Sequence, residues 1–114
     1  MVTALSLSFL TSPMAMAAEG PLMRLLKGNS QTLFLVDPAH QEARKHEGKT
    51  VRDFLTEMER SRIEPVREYC DPASARSISF LCHVILSSPG GFSYKLSFNT
   101  NNRMILSAVY LKVE

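Results

Sequence analysis

The pattern that most restricts this chain is residues 92–98, where Phe92, Ser93, Tyr94, Lys95, Leu96, Ser97 and Phe98 alternate apolar and polar without a break. A period of two puts Phe92, Tyr94, Leu96 and Phe98 on one face of a strand and leaves the serines and Lys95 on the other. A half-buried strand does not stand alone, so the chain must supply neighbouring strands and something to cover the aromatic face.

The neighbours are adjacent in sequence. Residues 76–87 place Ile78, Phe80, Cys82, Val84 and Leu86 on one face and Ser77, Ser79, Leu81, His83 and Ile85 on the other. Ser88, Pro89, Gly90 and Gly91 make the turn between these two strands. On the far side, Asn99, Thr100, Asn101 and Asn102 read as a hairpin loop, because Asn tolerates left-handed backbone angles and bonds to its own main chain. Residues 104–113 return as a strand that is apolar on both faces. Such a strand is expected to be central or covered; at the edge of a simple meander its open row invites pairing with a second copy of the chain.

Upstream, residues 21–27 carry Leu22, Met23, Leu25 and Leu26 and predict a short helix ended by Gly28, and residues 32–36 have the composition of a short strand. Asp37 and Pro38 open a second helix that should close near Gly48. Thr50 with Asp53 resembles a capping box. Val51, Phe54, Leu55 and Met58 then fall on one helical stripe, expected to run to about Ile63 before Pro65. The aromatic face of residues 92–98 is the natural partner of that stripe. The expected fold is α+β: two or three short helices packed on one face of a three- to four-stranded antiparallel meander, with one disulfide.

Compartment follows from the two ends of the argument. Residues 1–17 are apolar and hydroxylic with no charge, and Ala15, Met16 and Ala17 give the small-x-small pattern of a signal peptidase site. The positive charge that usually opens such a peptide is missing. The expectation is a signal peptide over 1–17, a single small domain over 18–114, a periplasmic or secreted location and no stable membrane anchor. Two cysteines in an oxidising compartment predict one bridge, Cys70 to Cys82.

Charge restricts the partners. Residues 37–68 hold 15 of the 24 charged residues, seven basic and eight acidic, whereas residues 70–114 hold six. The helical part is well solvated and the sheet is not. Balanced charge without a basic cluster argues against nucleic acid.

No catalytic or metal spacing stands out. His40 and His46 are six residues apart, not the i, i+4 pair of a zinc helix, so a site completed by Asp37, Glu42 or Glu47 lacks its spacing. Cys70 with His83 as base is a nucleophile only if the disulfide is absent. Serines 77, 79, 93, 97 and 107 lack a G-x-S-x-G turn, and Glu57 with Glu64 is the kind of carboxylate pair any charged helix shows. No cofactor is expected.

What remains is surface. Ser79, Leu81, His83, Ile85, Lys95 and Ser97 share the sheet face opposite the helices, with few charges and several apolar groups, as a contact surface has. The expectation is a non-enzymatic protein-binding domain acting through this face or the last strand, such as an inhibitor, an immunity factor or a secretion-apparatus component. The alternative is a small-molecule binding or hydrolytic domain with a pocket between helix and sheet, lined by Phe54, Met58, Tyr94 and Phe98, with His83 or Tyr110 as polar group.

Overall fold

Among the described residues, three helices and five strands follow in the order α1 (Pro21–Gly28), β1 (Phe34–Val36), α2 (Gln41–Arg44), α3 (Val51–Arg60), β2 (Glu64–Cys70), β3 (Phe80–Ser87), β4 (Ser93–Thr100) and β5 (Val109–Val113). This is a computed structural model that describes residues 20–72, 78–101 and 103–114. The signal peptide expected over 1–17, the first residues of the strand expected over 76–87, and Asn102 lie outside the described residues. No helix among the described residues is long and apolar enough to cross a membrane.

The class is α+β, as expected, but the sheet is larger and mixed. Its order is β1-β5-β4-β3-β2, with β2 through β5 antiparallel and β1 parallel to β5. Two strands account for the difference. β2 pairs with β3 from Glu64 opposite Ser87 to Cys70 opposite Cys82, with a bulge between Pro65 and Arg67. β1 adds to the other side through Phe34, Leu35 and Val36. The last strand is therefore interior, bonded to β4 on one side and, over Val109–Leu111, to β1 on the other, so the edge expected to pair with a second copy is taken up by β1 there.

The helices end where local chemistry says they should. Thr50 caps α3 by accepting from the Asp53 amide at 3.2 Å. α3 stops at Arg60, short of Ile63, in a Schellman motif: Ile63 N donates to Met58 O at 2.9 Å and Arg62 N to Glu59 O at 3.1 Å. Arg62 holds the left-handed position of that motif, with φ 58°. The helix expected to start at Asp37 is only one turn. Asp37 Oδ1 instead accepts from Ala39 N, and His40 becomes the cap, its Nδ1 accepting from Glu42 N at 3.1 Å. Only Ala43 and His46 are buried between Gln41 and Lys49, too narrow a stripe to hold a longer helix against the sheet.

The apolar core lies on one side of the sheet. Cys82, Val84 and Leu86 of β3, Tyr94, Leu96 and Phe98 of β4, and Val109, Leu111 and Val113 of β5 join Met23, Leu26, Val51, Phe54, Leu55 and Met58 in one core. Phe54 is its hub, edge-to-face with Phe34 at 4.8 Å, His46 at 5.0 Å and Tyr94 at 5.5 Å between ring centroids. Truncating such a buried ring to Ala costs about 3–5 kcal/mol.

α1 carries no side-chain cap of its own at Gly20. Its free amides are taken by Glu68 of β2, whose Oε1 accepts from Leu22 N at 2.9 Å and Oε2 from Met23 N at 3.2 Å. The Cys70–Cys82 disulfide forms where the two cysteines are directly opposed, with Cα atoms 3.9 Å apart.

Candidate interaction surface

The register of the strands sorts the outer face into rows that run across the sheet. Arg67, Ile85, Lys95 and Lys112 are successive neighbours in one row. The next row is Tyr69, His83, Ser97, Tyr110 and Leu35, from edge to edge. Beyond it Leu81 faces Asn99. On the other side of the cationic row, Glu64, Ser87 and Ser93 continue to Glu114, whose backbone pairs with that of Ser93.

No described element covers these rows. Leu35 is 60 % exposed, Leu81 40 % and Tyr110 38 %, although each lies in a strand whose opposite face packs into the core. The expected surface residues Leu81, His83, Ile85, Lys95 and Ser97 all stand on this face, and Ser79 is half-buried just before β3.

His83 is the exception to the openness, being only 6 % exposed. Its Nε2 lies 3.0 Å from Asp71 Oδ1 and its Nδ1 2.7 Å from Ser97 Oγ. A carboxylate only accepts, so Nε2 donates to Asp71, and in the neutral ring Nδ1 accepts from the Ser97 hydroxyl. The Tyr69 ring covers the imidazole at 4.7 Å between centroids. Tyr69 in turn carries the Arg67 guanidinium at 4.6 Å and the Lys95 ammonium at 6.0 Å from its centroid.

A hydrogen-bonded Ser, His and Asp invites comparison with acyl-transfer triads. Here the ring nitrogens are used in the reverse sense, Nδ1 toward the serine. Ser97 also sits in the middle of β4, whose backbone is paired with β3 and β5, so its neighbours offer no free amides to hold an oxyanion. The arrangement fixes a ring in place.

The sequence placed Leu81, His83, Ile85, Lys95 and Ser97 on this face and offered Tyr110 only as the polar group of a pocket, but did not bring in Arg67, Tyr69, Asp71, Lys112 or Leu35. A signal for part of this was available: an antiparallel bridge from Cys70 to Cys82 sets Tyr69 opposite His83 and brings Asp71 beside Leu81.

Other candidates are dispersed. His40 caps α2 while His46 is 4 % exposed between Phe54 and Tyr94, and among the described residues no three His, Cys, Asp or Glu side chains converge as metal ligands. Burial, with Lys49 Nζ 3.0 Å from Nδ1, holds the His46 imidazole below its ordinary 6.5. Glu57, bonded to the same Lys49, is held below the usual carboxylate range. Phe54, Met58, Tyr94 and Phe98, expected to line a pocket, are all buried in the core. A cleft of about 450 Å³ does lie between α1 and β2, lined by Leu22, Leu25, Glu68, Tyr69 and Cys70. Its one carboxylate, Glu68, is engaged with the α1 amides.

No family model, curated protein or solved structure matches this chain.

Proposed function

We propose that this chain is an exported, non-enzymatic protein-binding domain that engages its partner through the outer face of its sheet. The carrying observation is the contrast between the faces: the same strands bury every inward side chain in β5 and leave Leu35, Leu81 and Tyr110 open outward. Apolar groups held rigidly on a sheet and set among polar ones are the composition of a contact surface. The disulfide supports export, since such bridges persist in oxidising compartments. The satisfied, covered state of His83 and the solid packing around Phe54 favour binding over hydrolysis.

Two measurements test this. Intact mass of protein from the extracytoplasmic fraction should start at Ala18 and be two hydrogens light. Crosslinking capture with the mature chain as bait should retain a protein that Leu81→Glu with Tyr110→Glu loses, while Arg52→Glu on the exposed side of α3 keeps it. Equal retention by the sheet-face variant refutes the assigned surface.

A further inference from the structure

We infer that the partner is recognised through carboxylates: the row Arg67, Ile85, Lys95, Lys112 is a preorganised seat for an acidic protein segment, with the row of Tyr69, Tyr110 and Leu35 receiving the apolar side chains beside it. The inference rests on the outer face being the binding surface and adds the chemistry of what binds there.

The row places three cations across four adjacent strands, a span of about 14 Å at ordinary strand spacing. Lys95 and Lys112 are directly opposite one another, an arrangement that costs stability in a sheet unless an anion lies between them. Among the described residues none of the three forms an ion pair within 4.0 Å. Glu64 and Glu114 lie one row away, on β2 and just past β5, and bound the seat on that side rather than neutralise it. On the other side the face continues into the aromatic row, so a partner covers both rows together.

The cations are also held in place. Asp71 and Ser97 fix both nitrogens of His83, His83 supports the Tyr69 ring, and Tyr69 lies beneath Arg67 and beside Lys95. A buried histidine thus serves as the floor of the site. Side chains already ordered in the free protein lose less entropy when an anion binds them.

The test uses the mature oxidised chain as the target for a displayed library of random short peptides, with vesicles of anionic phospholipid as a parallel probe. The selected peptides should be enriched in Asp and Glu beside aromatic or aliphatic residues. Their affinity should fall about tenfold or more in the Lys95→Glu, Lys112→Glu double variant and weaken as salt is raised. That variant replaces one outward-facing like-charge pair, half-buried Lys95 and exposed Lys112, by another and leaves the core untouched. Peptides without acidic excess that ignore the charge reversal but are lost in Leu81→Ser with Tyr110→Ser overturn the carboxylate reading and keep the surface. Peptides insensitive to both double variants overturn the surface as well. Absence of any enriched peptide overturns the inference, and co-sedimentation with the vesicles in that case assigns the cations to a membrane instead.

Discussion

Glycine at position 20 is required by a side chain 48 residues away. A Cβ built on Gly20 comes within 2.5 Å of Glu68 Oε1 and 2.6 Å of Oε2, the two oxygens that hold the Leu22 and Met23 amides. The backbone itself tolerates alanine, since Gly20 has φ −82°. The obstruction is the end of a flexible side chain, so in Gly20→Ala the carboxylate swings away and the loss is that of the cap, not of steric strain. Side-chain caps contribute about 0.5–2 kcal/mol, and a carboxylate at a helix N-terminus adds about 0.3–1 kcal/mol from the dipole. Glu68→Ala should therefore cost about 1–2 kcal/mol. Gly20→Ala should cost somewhat less, because alanine recovers about 0.4–1 kcal/mol by restricting the unfolded chain. The sign then reverses with background. In Glu68→Ala there is no carboxylate to displace, and Gly20→Ala becomes stabilising by about 0.4–1 kcal/mol. Urea denaturation of the four oxidised proteins reads the cycle directly, with unchanged m-values showing that the comparison is one of stability. Additive effects, with Gly20→Ala costing the same in both backgrounds, would refute the long-range cap.

Replacing both cysteines by alanine should lower stability by about 3 kcal/mol, the loop-closure value for a separation of 12 residues, and hydrogen exchange should accelerate first in β2; uniform acceleration would contradict the strand's dependence on the bridge. Arg62→Gly should raise stability by up to about 1 kcal/mol in urea melts, because it relieves a left-handed non-glycine residue at the end of α3. The lowered His46 value means that the unfolded chain takes up a proton first as pH falls. Its contribution is thus whole above about 6.5 and lost as pH drops through the folded value. His46→Phe, which keeps a ring between Phe54 and Tyr94, should flatten that part of the stability profile, while the loss below 4.5 from Glu57 persists; an unchanged slope above 4.5 would exonerate His46.

The legible parts of this fold are those whose chemistry is local. The alternation of residues 92–98 gives β4 with Tyr94, Leu96 and Phe98 buried, Thr50 gives the start of α3, and Gly48 adopts the positive φ, 82°, expected past a helical segment. β2 was not legible because an edge strand that buries little carries no period: Glu64, Arg67 and Glu68 read as solvated, and the bulge after Pro65 breaks what alternation there is. The returning strand over 104–113 shrinks to Val109–Val113 for a local reason the composition hides. Asn101 Oδ1 accepts from Arg103 N and Met104 N, and Leu106 N donates back to Asn99 O, so the segment folds over the end of β4 before the strand begins. The parallel seat of β1 beside β5 rests on contacts about 75 residues apart and has no short-range signature. For the surface, single strands yielded single residues; the rows across the sheet needed the register.

β2 ties these threads together, because it brings almost no apolar burial of its own. Beyond its backbone ladder to β3, it is tied in by three side-chain contacts: the bridge from Cys70 to Cys82, the carboxylate of Glu68 on the α1 amides, and the Tyr69 ring on His83. The last of these belongs to the outer face, and so does Arg67 just before them. Loosening β2 therefore does not merely fray an edge. It removes one of three cations from the row, uncovers the His83 ring, and takes away the aromatic surface against which Lys95 is ordered. Cys82 belongs to the core as well as to the bridge, so replacing both cysteines by alanine should perturb β2 and, through Arg67 and Tyr69, the outer face; peptide binding by that variant unchanged from the oxidised protein would refute the dependence of the surface on β2.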